Sequence, residues 1–375
     1  MESITIANNS PPAHAATDAE TKTRQPHVVD ADRVGWVDFA KAICIVAVVT
    51  MYSTHHVQAI MNSTGWMQAV VDFAQPFRMP DFFLIAGLFV SRVLNRPLRS
   101  YIDSKVLYFF YFYAVWVTFR FTFMNIGGLL GEDRLALLPA YLHLYIDPPS
   151  GPLWFIYVLA LFFIAVRVLR GIPAWLVLTG AAAIQVAHIE TGITFFDKFT
   201  YYFVFFYAGY LFAPQIFRLA EWAQPRALFS IAILVIWFVG NGALVESGIA
   251  QLPGMSLILG FAGAFAVMLL ATLLARAPGM KWFSYLGKNS IVVYLGFVIP
   301  LGFMRWFIGN STLVTDVGNL ALIATVLSVA GAIAMFWAFR KTPLSFLFVR
   351  PAWTHIGPVP SSGMKKRASP TGSAV

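Results

Sequence analysis

Polar positions interrupt the apolar runs of this chain at only a few places, and the first run is the most informative. Val37 to His56 reads V-D-F-A-K-A-I-C-I-V-A-V-V-T-M-Y-S-T-H-H, polar at both ends and apolar between. Its length suits one bilayer crossing, at about 20 residues per span. On a helix, Lys41 and Tyr52 fall within about 20° of each other and roughly 16 Å apart along the axis, and His55 lies about 40° to the other side of Lys41. An ionisable group inside a membrane helix is costly unless it faces a protein interior or a wet cavity. The stripe therefore predicts one wall of a cavity running through the membrane.

Further apolar runs follow. The second is expected from Met79 to about Leu94, after a connection over 57–78, and the third, strongly aromatic, over about 106–125. A connection over 126–152 leads to runs at about 153–168, 173–189, 198–214, 227–245, 254–275, 284–308 and 317–339. The pattern predicts an all-α polytopic membrane protein with about ten transmembrane helices. Residues 1–32 lack an apolar run and are expected to form a disordered cytoplasmic tail, and 342–375 a second, mostly polar one. The membrane domain is expected over 33–341.

Charge orients these runs. With ten spans and both termini cytoplasmic, the outer connections hold only Arg78, Arg134, Lys198 and Arg305, while the inner ones hold most of the remaining Lys and Arg. This is the asymmetry of cytoplasmic loops. The net charge of +9 is therefore read as a topology signal, and no nucleic-acid partner is expected. Composition agrees: 59% of residues are apolar and 11% charged, against ~25% charged in soluble proteins. The single cysteine, Cys44, excludes an intrachain disulfide and is read as a packed thiol. No phosphate-loop, dinucleotide, zinc-protease, serine-hydrolase or paired-cysteine pattern occurs, and no metal or bound cofactor is expected.

Candidate chemistry is left to polar groups at membrane depth. Asp38 and Lys41 either pair to anchor the first helix or begin the cavity stripe. Arg78 and Asp81, in Q-P-F-R-M-P-D-F-F, either cap the second span or line the outer mouth of the cavity. Arg120 either snorkels outward or faces inward. Trp154 and Tyr157 share a face and suit an interfacial belt as well as a site. Lys288, in L-G-K-N-S-I-V-V-Y-L, can cap a helix or meet an anion. The basic loop with Arg92, Arg96, Arg99 and Lys105 suits topology or phosphates.

At these residues the chain resembles the acyltransferase 3 family of multi-pass membrane proteins, which O-acylate sugars and other envelope or exported molecules. V-D-F-A-K-A-I-C-I-V-A-V-V-T-M-Y is similar to its opening motif, and F-F-L-I-A-G-L-F, P-L-W-F-I-Y and L-G-K-N-S-I-V-V-Y-L to later ones, over about 35–340. The family's arginine falls on Lys41, its histidine on Tyr52, and a second histidine on Phe297. The resemblance implies a bacterial inner-membrane enzyme moving an acyl group from acyl-CoA, as co-substrate, to a hydroxyl of a carbohydrate or similar acceptor. It implies donor binding by Lys41, Arg92, Arg99 and Lys288, proton handling by His55 with Tyr52, and acceptor placement by Arg78, Asp81, Arg120 and Trp154. With tyrosine in the histidine position, the other implied reading is a non-catalytic carrier or export protein on the same helices.

Overall fold

The computed structural model describes residues 35–125, 132–147, 151–310 and 316–356, which excludes the N-terminal tail and most of the C-terminal one. The described residues are helical throughout, without strands. The principal helices are α1 (Gly35–Met61), α2 (Met67–Gly87), α3 (Leu107–Met124), α4 (Trp154–Val168), α5 (Ala174–Ala187), α6 (Thr194–Leu211) and α7 (Ala213–Ala223). They continue with α8 (Ala227–Glu246), α9 (Met255–Leu274), α10 (Lys281–Lys288), α11 (Ser290–Gly296), α12 (Val298–Asn310) and α13 (Val317–Phe339).

Six of these helices, some with short flanking turns, are long and apolar enough to cross a membrane, or seven elements if the bent pair α6–α7 counts as one span. The expected ten included three segments that differ. α2 carries Asp72, Arg78 and Asp81, α5 has only 14 residues, and the run expected over 284–308 breaks into α10, α11 and α12. The α6–α7 pair bends by 72°.

The first apolar run became the centre of the bundle. α1 packs against α2, α9, α10 and α13. In its most apolar window 61% of residues are buried within the protein, against 11% for α8, whose Leu228, Ile236 and Val239 face outward. α2 crosses α6 closely enough that a Cβ on Gly87 would strike the Phe206 carbonyl, and one on Gly209 the Leu84 carbonyl.

α2 begins twelve residues before the expected Met79, because Pro76 and Pro80 do not break it. A proline in a helix frees carbonyls that a membrane protein must satisfy from elsewhere. Pro76 and Pro80 free the carbonyls of Asp72 and Pro76, and next to the first of these the buried Asn241 of α8 donates to the Phe73 carbonyl at 2.9 Å, tying this stretch of α2 across the bundle.

The folded part also extends past the expected end of the domain, to Ile356. Trp116 donates to the Leu347 carbonyl at 2.9 Å. A π-turn over Ile102–Val106 precedes α3 and presents Asp103 to the C-terminal segment. The Asp103 carboxylate accepts from Arg350 Nη2 at 2.8 Å and Ile356 N at 2.9 Å, and sits 3.0 Å from His355 Nδ1. Arg350 Nη1 also donates to the Asp103 carbonyl at 2.6 Å. Both side chains of the pair are nearly fully buried, so removing one partner strands the other. Arg350→Ala is expected to cost about 3 kcal/mol, read as a lower melting temperature in detergent. Adding Asp103→Asn should restore part of that loss, as a double-mutant cycle would record.

Candidate functional site

α1 carries its polar residues to two clusters, one at each end. At its C-terminal end stands Tyr52, whose hydroxyl lies near the Trp154 indole. The guanidinium groups of Arg78 from α2 and Arg120 from α3 both lie within electrostatic range of that hydroxyl. Arg78 in turn feels Tyr202 and Asp72. Trp154 stacks on Tyr202 of α6, with centroids 5.6 Å apart and planes 22° from parallel, and Lys198 Nζ sits 5.6 Å from its ring centre. The Tyr52 ring lies 5.5 Å from Phe297. The segment entering α4 is pinned by Tyr294, whose hydroxyl donates to the Pro152 carbonyl.

The two arginines give this cluster its character. Arg78 is 8% exposed, and its Nε and Nη1 have no hydrogen-bond partner; Arg120 Nη1 is likewise buried and unmatched. Buried guanidinium N–H groups left unmatched are costly. Among aromatic walls, such N–H groups can stabilise an oxygen that gains negative charge during a reaction. Arg120 lies against Gly151, where an added Cβ would overlap its guanidinium. Gly151→Ala should therefore displace Arg120 while α3 and α4 keep their packing. The expected outcome is a fall of about 10-fold or more in turnover with an unchanged melting temperature, checked by assaying both on one preparation.

At the N-terminal end of α1 the buried Asp38 stands among several cations. Lys41 Nζ lies 5.6 Å from the Phe89 ring centre and Arg92 Cζ 5.1 Å from the same centre. Lys105 senses both Lys41 and Arg96, and its Nζ is 5.3 Å from the Phe163 ring centre. Arg167 packs 5.3 Å from the Tyr101 ring centre, with a buried Nη1 lacking a partner. Arg99 and Lys288 are exposed. The basic loop thus brings Arg92, Arg96 and Lys105 towards Lys41, while α4 adds Arg167. No group of three or more metal-ligating side chains occurs among the described residues.

The imidazoles divide. His55 is exposed. His56 is half-buried, is engaged by neighbouring groups, and lies on the Tyr52 face of α1, one i,i+4 step along. Asp81, one turn from Arg78, is 1% exposed and lines an apolar cavity rather than the arginine cluster. Beside the Tyr52 cluster, Tyr202 also borders a polar cavity of about 330 Å³ that includes Asp72, Gln75, Gln185 and Ser256. Gln185 donates to Ser256 Oγ at 2.9 Å, and its own Oε1 is buried without a partner. Sequence patterns gave no sign of this cavity, since Gln185 and Tyr202 sit in runs that read as ordinary apolar helix.

Neither a curated protein nor a solved structure matches the chain. The acyltransferase 3 family model (Acyl_transf_3, described as an acyltransferase domain) matches residues 34–339, from the start of α1 to the end of α13. That match takes in both charged clusters and all the helices that carry them, and on it the chain belongs to the acyltransferase 3 family.

Proposed function

We propose that this membrane acyltransferase moves an acyl group from acyl-CoA to a hydroxyl of a carbohydrate or other envelope acceptor, in the bacterial inner membrane. The observation that carries this reading is that one helix joins two separate cationic sites. The Lys41–Arg92–Arg96–Lys105 end would face the cytosol and take the phosphates of the donor, with Arg99 and Lys288 at the surface drawing it in. The Tyr52–Arg78–Arg120 end, with Trp154 and the polar cavity beyond Tyr202, would hold the acceptor. The four basic residues between α2 and α3 (Arg92, Arg96, Arg99 and Lys105) support this orientation.

In the reaction the acceptor oxygen attacks the thioester carbonyl. A carbon–oxygen bond forms, the carbonyl oxygen gains charge, and the carbon–sulfur bond then breaks. Arg78 and Arg120 would stabilise that oxygen. Tyr52, beside Trp154, would position the acceptor hydroxyl. We assign its proton to His56, which shares the Tyr52 face, in place of the exposed His55; the imidazole then returns the proton to the departing CoA sulfur.

The second reading, a carrier without transfer activity, draws on the tyrosine that stands in the family's histidine position. Release of free CoA thiol by the purified protein separates the two. Thioester cleavage that needs both His56 and Arg78 favours the enzyme, and cleavage in no acceptor fraction favours the carrier.

A further inference from the structure

A cavity of about 230 Å³ lies between α1, α2, α9 and the bent α6–α7 pair. Its walls are apolar and include Trp36, Leu84, Phe212, Phe261 and Ala264. The one ionisable side chain on the wall is Asp81, which is 1% exposed and whose Oδ1 has no hydrogen-bond partner. Leaving such an oxygen unmatched in an apolar setting is costly.

The position of the cavity says what would match it. Ala40, on its wall, adjoins Lys41 of the phosphate cluster, and Ile85 is one turn before Phe89, on which Lys41 and Arg92 rest. Asp81 is one turn from Arg78, at the transfer end. The cavity wall thus begins beside the Lys41 cluster on α1 and reaches, along α2, to within one turn of Arg78.

We infer that this cavity receives the acyl chain of the donor, that the natural donor has a chain several methylenes longer than acetyl, and that Asp81 meets the thioester end of that chain. This rests on the proposed use of acyl-CoA. The thioester end of an acyl-CoA offers a carbonyl oxygen as acceptor and, past the sulfur, the amide N–H of the pantetheine arm as donor. Either one gives the Asp81 carboxyl its partner, while the methylenes replace contact with water by contact with the apolar walls. Each methylene so buried is worth about fourfold in affinity.

The test is binding of CoA, acetyl-CoA and octanoyl-CoA to the full chain in nanodiscs, with protein-free nanodiscs subtracted. Octanoyl-CoA should bind about 10-fold or more tighter than acetyl-CoA. Ala264→Phe, which fills the cavity, should erase that difference and leave acetyl-CoA affinity unchanged. Because Ala264→Phe can also fail to fold, octanoyl-CoA carrying a diazirine at the chain end provides an independent readout on the unaltered protein. Its label should fall on peptides containing Phe212 or Phe261. Equal affinity for the two donors, or a label confined to other helices, overturns the inference while CoA binding keeps the donor reading standing. A phospholipid chain held in the cavity, undisplaced by octanoyl-CoA, also overturns it. Failure of all three probes to bind overturns both readings.

Discussion

Arg78→Ala lowers acyl transfer by about 10²–10³-fold in kcat, the loss expected when a donor to a developing oxyanion is removed, while the protein keeps its melting temperature. The second half of that statement is the discriminating one. A structural arginine is tied down by partners, and its removal unravels them. Arg78 is buried with Nε and Nη1 unmatched, and Asp72, Tyr52 and Tyr202 reach it at electrostatic range, so its truncation breaks no hydrogen bond at those atoms and the desolvation cost it relieves offsets the attraction lost. Functional sites retain such local costs, and their removal tends to stabilise. Arg78→Lys should recover only part of the activity, because an ammonium lacks the guanidinium fork. A melting temperature that falls together with activity would assign Arg78 to packing. The measurement is kcat and detergent melting temperature on one set of preparations.

His56→Gln should cost about 10²–10⁴-fold in turnover, the usual contribution of a positioned acid–base group, whereas His55→Gln should change it by less than about twofold. The two imidazoles are neighbours in sequence, yet helix geometry sends them to different surroundings. His55 is exposed, and His56 is half-buried on the Tyr52 face. Tyr52→Phe keeps the ring against Phe297 and removes the hydroxyl that lies near Trp154, Arg78 and Arg120. It should weaken acceptor use, seen as a higher acceptor KM with donor KM unchanged. Equal loss in the His55 and His56 variants would remove the proton role assigned here to His56.

The parts of this fold that were legible in the sequence are those with a strong period or a long apolar run. The apolar centre of α1 and its two polar ends read directly, and α3, α8, α9 and α13 begin and end within about two residues of expectation. Lys41 and Tyr52 were expected at two ends of one stripe, and each now stands in a cationic cluster. The start of α2 was read twelve residues late, because its first turns carry Gln68, Asp72, Gln75 and Arg78 and read as a polar connection. The run over 284–308 looked continuous by hydropathy alone, but it turns at Asn289 and Phe297.

Side-chain destinations were harder to read than helix positions. Arg78 and Asp81 are three residues apart and were expected to share one mouth, but the former joins the aromatic cluster and the latter an apolar cavity. Arg96 and Lys105 approach Lys41 only because the chain turns sharply between α2 and α3. The docking of Arg350 on Asp103 joins residues 247 positions apart, and local patterns carry no trace of so distant a pair.

The central claim is that donor and acceptor are served from opposite ends of α1. Its most direct test is transfer by the full chain in proteoliposomes, supplied with acyl-labelled acyl-CoA on one side and an envelope carbohydrate fraction on the other. The account predicts free CoA on the donor side and labelled ester on the acceptor side, in equal amounts. Lys41→Ala should raise the donor KM, and Arg78→Ala should slow ester formation by about 10²–10³-fold. Donor and acceptor that react only when mixed on the same side, or thioester that stays intact with every acceptor fraction, would contradict it.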